Sequence, residues 1–401
     1  MNNRLRQVAA TALWGTLCVV SANVAAQSRL TLYGVIDEGV QLVTNNKHVV
    51  SGINVGGRQW TLNSTSGPRG SRWGFRGAED LGGGTSAVWT LESGINLNSG
   101  SFAQGGTPFG RQAYVGLHDR RLGSVLLGRQ YDSINDYVAR FEFGLSGYGG
   151  IDHPGDLDNM GHTSHINNTI KYASPDLRGF SFGGTLSLGG IAGAVGENSG
   201  YSIGARYNGG PLMLGAAYEY FRNPSAPGAA LNSNVDAVPP AQTTVFGSLN
   251  AGYLSGAQPA TTWQLAALAG TYRFGATTLG AGWSNVRYGN IGRYGGKTAT
   301  FNDFEVHGIY RFTALWSGAL DYNYLKGNAV SGDIGDQTYH QATLVIDYAL
   351  SKRTDVYASA TMQFASGTNS LGAPAVADIS QTGDASNGRQ ALLRLGVRTV
   401  F

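Results

Sequence analysis

Cysteine occurs once in the 401 residues, at Cys18, proline only eleven times, and charged side chains make up 13% of the chain. One cysteine excludes a disulfide scaffold and any four-thiolate metal site. Soluble domains carry about 25% charged residues, so close to half of the usual charge is missing. The 28 basic and 25 acidic residues leave a net charge of only +3, without the basic excess of a strong nucleic-acid binder, and no nucleic-acid partner is expected. After residue 26 no run of 18 consecutive apolar residues occurs, so no helix in that part is expected to cross a membrane. Scarce proline, no low-complexity repeats and 10% aromatics argue against disorder. What is plentiful is glycine, at 61 positions, and tyrosine, at 20. This is the composition of a large β protein, either soluble or in a membrane.

The first 26 residues read as a secretory signal peptide. Arg4 and Arg6 form its basic start, Val8 to Val20 its uncharged and mostly apolar run, and Val24-Ala25-Ala26 its small-residue cleavage site. The mature chain is expected to begin at Gln27 and to form one domain over 27–401. The bulky Leu17 before Cys18 argues against lipidation there. Cleavage removes the sole cysteine, so packing and hydrogen bonds alone must stabilise the exported protein.

Along the mature chain, blocks of about ten residues alternate with period two, each closed by a turn signal. Phe304, Val306, Gly308, Tyr310 and Phe312 share one face, while Glu305, His307 and Arg311 share the other. Trp316, Gly318, Leu320, Tyr322 and Tyr324 oppose Ser317, Ala319, Asp321 and Asn323; Val356 to Phe364 repeats the pattern. A β-sandwich also alternates, with its apolar face inward. Two features favour a barrel with its apolar face outward. The polar faces carry Arg, Glu and Asp, suited to a watery interior, and the apolar faces end in aromatics, matching the girdles at membrane interfaces. Tight turns such as 80–84, 119–123, 176–179, 209–211 and 351–354 also alternate with long polar stretches at about 44–57, 98–109, 131–164, 222–260, 288–300 and 366–388. Short turns on one side and long loops on the other is the outer-membrane layout. About sixteen antiparallel strands are expected, starting near 30, 70, 85, 110, 123, 166, 180, 201, 212, 262, 277, 303, 315, 338, 354 and 389. Such a barrel is roughly 30 Å across, wide enough for a water channel. The last strand places Leu393, Leu395, Val397, Thr399 and the terminal Phe401 on one face, with Arg394 and Arg398 on the other. Phe401 reads as an outer-membrane assembly signal that closes the lipid-facing row.

Several stretches, in order, carry a family resemblance: Leu30-Thr31-Leu32-Tyr33-Gly34-Val35-Ile36-Asp37, Ser71-Arg72-Trp73-Gly74-Phe75-Arg76-Gly77, Glu79-Asp80-Leu81-Gly82-Gly83-Gly84, Gly128-Arg129-Gln130-Tyr131-Asp132, Asn167-Asn168-Thr169-Ile170-Lys171-Tyr172 and Phe401. Together they resemble the trimeric, sixteen-stranded general diffusion porins of Gram-negative outer membranes, most closely those of β-proteobacteria. The resemblance implies a homotrimer among outer-membrane lipid and lipopolysaccharide, with short periplasmic turns, long outer loops and a third outer loop folded into the pore. It implies passive passage of ions and small hydrophilic solutes, with no cofactor and no catalysis.

The segment 131–165 is the candidate constriction loop. It holds Asp132, Asp136, Glu142, Asp152, Asp156 and Asp158 against one base, Arg140. Phe141-Glu142-Phe143-Gly144 resembles the family's loop tip, which makes Glu142 the leading acidic candidate. The second tip acid of the family falls near Val138, which leaves Asp136 as its substitute, with Asp152, Asp156 and Asp158 as further acidic candidates. Arg72 and Arg76 alternate with Trp73 and Phe75 and so should point inward. Arg111 is read on the face of Ala113, opposite Tyr114, and Arg72, Arg76 and Arg111 resemble the family's basic cluster. His165 stands where the family usually has arginine, and its charge should vary near pH 6.5 unless its surroundings shift it. Arg129 is a further basic candidate. Opposed carboxylates and guanidiniums across a narrow pore would set up a transverse field that passes small polar solutes and rejects apolar ones.

Three other readings stay open. A substrate-specific porin for a sugar or organic anion would want a row of aromatics along its pore. An outer-membrane enzyme would need a nucleophile and a base, yet no Gly-x-Ser-x-Gly elbow occurs. A soluble sandwich or propeller would not need the turn asymmetry. His153, His162 and His165 in the acidic loop are weak grounds for a metal, and none is expected. Glu38 falls on the apolar face of Leu32, Ile36 and Val40, which puts the first strand at a subunit interface where Glu38 could find a partner.

Overall fold

In the computed structural model, which describes residues 29–65, 67, 70–149, 153–231 and 247–401, the chain runs as sixteen antiparallel strands around one closed barrel. The proposed signal peptide and Asp152 lie outside the described residues. Strand β1 is Arg29–Val50. Strand β2 comes in two pieces, Ile53–Asn63 and Arg72–Gly82, both paired to the same edge of β1. There follow β3 (Thr85–Asn96), β4 (Gln112–Asp119), β5 (Gly123–Gln130), β6 (Ile166–Ala173), β7 (Phe180–Ser187) and β8 (Gly200–Gly209). The second half is β9 (Leu212–Arg222), β10 (Ala260–Phe274), β11 (Thr277–Ile291), β12 (Lys297–Arg311), β13 (Trp316–Gly327), β14 (Gln337–Ala349), β15 (Thr354–Gly367) and β16 (Arg389–Val400).

These starts follow the sixteen expected from turn signals and alternation. Each strand pairs with its sequence neighbours, and β1 pairs with β16 from Val35↔Val400 to Val43↔Leu392, which closes the ring. The two backbone hydrogen bonds between Gly34 and Phe401, both 3.1 Å, carry the closure to the last residue. Only glycine fits at position 34 without a shift, because the Phe401 ring lies where a Cβ would be.

The alternation points as expected. Phe304, Val306 and Tyr310 are exposed on the outer face of β12 and Phe312 just past its end, while Glu305 and His307 are buried within. On β16, Leu393, Leu395 and Val397 face out, while Arg394 is buried inside the barrel. A buried arginine at the seam needs partners. Its guanidinium reaches the Asp37 carboxylate at 3.1 Å, the Tyr357 hydroxyl at 2.7 Å and the Asn63 carbonyl at 2.7 Å. These contacts tie β1, β2, β15 and β16 together at the point of closure.

Three stretches differ from the sequence reading. The expected loop 44–57 is a tall hairpin turning on Ser51-Gly52, whose φ values of 50° and 81° suit a two-residue hairpin turn. Its Asn45, Asn46, Lys47 and His48 are polar on both faces, so no apolar period marks it. The expected loop 288–300 shrinks to 292–296, because β11 and β12 pair as far as Ile291↔Lys297. The expected polar loop 222–260 carries a helix, Gly247–Leu254, whose Leu249 and Tyr253 are buried inside the barrel. Tyr253 packs against Tyr288 and Phe301 at ring separations of 5.6 and 6.0 Å. Leu265, Ala267, Val286 and Leu325 on the inner wall join the same cluster, together with Tyr137, Phe141 and Leu157 of the segment 131–165. Part of the interior is therefore an apolar core rather than a watery wall, because long in-folded segments need a surface to pack on.

Arg394→Met leaves the Asp37 carboxylate buried without its cation. Removing one member of a buried pair costs about 3–5 kcal/mol. The heat-induced conversion of the folded band on denaturing gels should therefore move to markedly lower temperature, whereas replacing the exposed Leu395 by alanine should change it little.

Candidate functional site

The segment 131–165 enters the barrel from the end of β5. Asp132 caps its first helix, α1 (Ser133–Tyr137), by accepting from the Asn135 amide at 2.9 Å, and it also accepts from Asn159 at 2.6 Å. Burial pushes the Asp132 carboxyl up to about 6. Helix α1 lies on β8 and β9, where Gly204 leaves room for the Tyr137 ring; a Cβ there would sit 2.6 Å from it. The chain then crosses the lumen. The Phe143 amide donates to Glu305 on β12 at 2.9 Å, and the Gly147 carbonyl accepts from Arg398 on β16 at 2.8 Å. The segment returns through His153–Ser164 to β6. The third outer loop thus folds into the pore and bridges it from β5 to β12 and β16.

One wall carries the basic group. Arg111 donates to Glu92 at 2.8 Å and to the Tyr131 hydroxyl at 2.7 Å. The Tyr33 hydroxyl donates to the other Glu92 oxygen at 2.8 Å, and Arg72 lies 4.0 Å from it. The Arg76 guanidinium sits 4.1 Å from the Tyr33 ring centroid, a cation–π distance. Arg72, Arg76 and Arg111 are therefore together, as the alternation of β2 suggests, around a carboxylate that the sequence reading missed. The signal for Glu92 was present: it pairs across from Gly74, on the inward parity of Arg72 and Arg76.

Arg111 arrives by a different route from the one expected. Tyr114 shares the inner face with Thr90, which donates to its hydroxyl at 3.0 Å, so Ala113 points outward. Arg111 reaches inward only because it precedes the start of β4 at Gln112, where strand parity does not yet apply. Arg129 sits at an irregularity of β5, donating to the Gly110 carbonyl and to Asn167, both at 2.7 Å. His165 is buried 4.9 Å from the Tyr131 ring, and burial together with Arg111 and Arg129 drives its imidazole well below the usual range. It stays neutral at neutral pH rather than titrating near 6.5.

The acidic candidates spread differently. Asp136 stays partly open, with its side chain 33% exposed, and accepts from Lys171 at 2.7 Å. Asp156 turns inward to hold its own loop, accepting from the Gly161 amide and the Thr163 hydroxyl at 2.8 and 2.7 Å. Asp158 accepts from Ser284 at 2.6 Å and pairs with His153 Nδ1 at 2.7 Å. Glu142 is 1% exposed and rests against Gly282, so its carboxylate does not meet the open lumen. Burial and the neighbouring Glu305 raise its carboxyl well above the usual carboxylate range. Asp303, Glu305 and Asp321 complete an acidic wall on β12 and β13. In a ring of sixteen strands, β3 and β12 are nine strands apart one way and seven the other, so the basic and acidic walls face each other across the lumen. On the outside, Glu38 has the Asn98 amide at 3.3 Å. Phe401 sits at the seam beside Gly34.

Glu92 and Arg111 are both buried, so each depends on the other. Arg111→Met should lower the unfolding temperature of the barrel, with a loss of about 3–5 kcal/mol. Adding Glu92→Gln should restore most of it in the same heat-modifiability assay; failure of the second change to rescue would show that the pair does not act as a unit.

Comparison with known proteins bears on this geometry. The family model described as Gram-negative porin matches residues 9–368. An outer membrane porin protein of Bordetella pertussis is 27% identical over 368 residues, covering 83% of this chain and 88% of its own. Outer membrane porin protein 32 of Delftia acidovorans is 27% identical over 410 residues, covering 96% and 98%. Among solved structures, the anion-selective porin from Comamonas acidovorans superposes with a TM-score of 0.70 at 22% identity, over 94% of this chain and all of that one.

Proposed function

The chain belongs to the Gram-negative porin family and forms an outer-membrane diffusion channel, and from that premise we propose how its lumen selects what passes. The observation that carries the proposal is the unequal exposure of the two charges. The loop carboxylates Glu142, Asp156 and Asp158 are buried and hold protein partners or neighbours, while Arg76 and Arg140 are exposed and Arg72 and Arg206 half-buried. Passing ions therefore meet guanidiniums more than loop carboxylates, with Asp136 the most exposed of the described acids in 131–165. Arg72 and Arg76 form the basic side of the constriction; Arg111 and His165 support it, and Arg129 contributes little. The channel prefers anions weakly.

The field between the basic wall of β2–β4 and the acidic wall of β12–β13 orients small polar solutes as they cross. A low-dielectric wall sharpens that field, and apolar solutes lose because they must displace aligned water. Nothing is chemically transformed. Residues 1–26 act as the export signal, and 27–401 form one barrel domain that works as a homotrimer in lipid and lipopolysaccharide. The trimer contact falls on β1, β2 and β14–β16, where Val40, Leu62, Ile346, Ala358, Leu395 and Val397 line an apolar depression with Glu38 at its edge. A carboxylate facing lipid costs up to a few kcal/mol, which a covering subunit relieves.

In planar bilayers, conductance should rise in proportion to KCl concentration, with no saturating block by any one sugar or organic anion. Concentration-dependent block by a single solute would instead mark a substrate-specific porin. Arg76→Ala and Arg72→Ala should shift the zero-current potential towards cations. A charge about 7 Å from the ion path is worth about 0.6 kcal/mol in a water-like dielectric, so the anion-to-cation permeability ratio should fall severalfold. Unchanged zero-current potentials in both variants would remove these arginines from the constriction.

A further inference from the structure

The contact between the loop tip and the wall gathers more carboxyl groups than imidazoles. Glu142 and Asp158 come from the loop, Asp303 and Glu305 from β12 and Asp321 from β13, all buried, against His153 and His307. His153 stands at the centre. Its Nδ1 faces Asp158 at 2.7 Å, and its Nε2 faces Glu305 Oε2 at 3.0 Å and Glu142 Oε2 at 3.8 Å. Neither Glu142 oxygen has a hydrogen-bond partner, although the residue is almost wholly buried. If Asp158 fixes the proton on Nδ1, then Nε2 and two carboxylate oxygens turn lone pairs towards one another.

We propose that His153 Nε2, Glu142 and Glu305 bind a divalent transition-metal ion that fastens the loop tip to the barrel wall. The three donor atoms lie within 4.8 Å of one another. Zinc arms of about 2.0–2.2 Å in a tetrahedron set donors about 3.4 Å apart, between the 3.0 and 3.8 Å separations present here. The imidazole favours a transition ion over magnesium or calcium, and water completes the fourth position. Asp158 is a positioning residue: accepting from Nδ1–H, it sets the tautomer that frees Nε2, as carboxylates commonly do behind metal-bound histidines. With Nδ1–H held by Asp158, the ion takes the Nε2 lone pair and displaces any second proton on His153 and any proton on Glu142 into bulk water, so affinity rises with pH. The site goes beyond the channel reading and does not depend on which solutes pass. It also revises the expectation from the sequence, where the loop histidines had little weight because the wall partners Glu305 and Asp303 lie some 150 residues away and could not be matched to them.

The test is zinc retention by the folded, full-length mature protein in detergent, stripped with EDTA, equilibrated with zinc chloride at pH 7.5 and desalted. About one zinc per chain should remain. Glu142→Gln, which keeps the size of the side chain, should weaken affinity by tenfold or more, and Asp158→Asn by about 10–100-fold. Gly282→Ala should weaken it too, because the new Cβ takes the space of the Glu142 carboxylate. If a variant does not give the folded band, zinc-edge X-ray absorption of the unmodified protein decides, with one imidazole nitrogen expected in the first shell. No zinc retained by the unmodified protein, equal retention by Glu142→Gln, or a spectrum without imidazole would each overturn the proposal. The first of these outcomes means that shared protons alone neutralise the cluster.

Discussion

Lipid offers backbone amides and carbonyls no hydrogen-bonding partner, and that single constraint organises the molecule. A sheet in a bilayer must close on itself, because an open edge would leave a row of unpaired groups in hydrocarbon. Here the closure runs along β1 and β16 and ends at the paired backbones of Gly34 and Phe401. Once the ring is closed, the period-two geometry of a strand divides every residue between two solvents. Leucine, valine and aromatics go outward to lipid, while Asp37, Glu92, Glu305 and Arg394 go inward. The low charge of the chain follows from this division, since one face of each strand cannot carry charge without cost.

The inner charges then face a second constraint. A charge held in a lumen crowded by in-folded loops loses water and must be paired. Arg394 is met by Asp37 and Tyr357, Arg398 by Asp355, and Glu92 by Arg111, Tyr33 and Tyr131. The loop crossing the lumen is fixed in the same manner, by Glu305 accepting the Phe143 amide and by Arg398 donating to Gly147. Pairing removes charge from the path of solutes. The same interactions that hold the constriction in place therefore also decide which charges remain to act on passing ions.

Most of the barrel was legible in the sequence because its rule is local. Alternation over Phe304–Phe312 or Leu393–Phe401 needs only neighbouring residues, and so do the glycine-rich turns. The Ser51-Gly52 hairpin escaped because it is polar on both faces, so no apolar period marks its strands. The helix at Gly247–Leu254 escaped because its burial depends on Tyr288 and Phe301, which only the closed barrel brings to it. Site residues were legible where parity holds, as for Arg72 and Arg76. Where parity breaks, as for Arg111 ahead of its strand or Arg129 at an irregular one, the direction of the side chain was not legible, although both were named as candidates. The burial of Glu142 could not be read at all, since it depends on Gly282 and Glu305, more than a hundred residues further along the chain.

The central claim is that the loop carboxylates Glu142, Asp156 and Asp158 are withdrawn into protein contacts while Arg72, Arg76 and Arg140 keep more of their water. The zero-current potential of the unmodified protein in a planar bilayer across a tenfold KCl gradient tests it most directly. The account predicts a potential with the sign of chloride preference; a potential with the sign of potassium preference would contradict it.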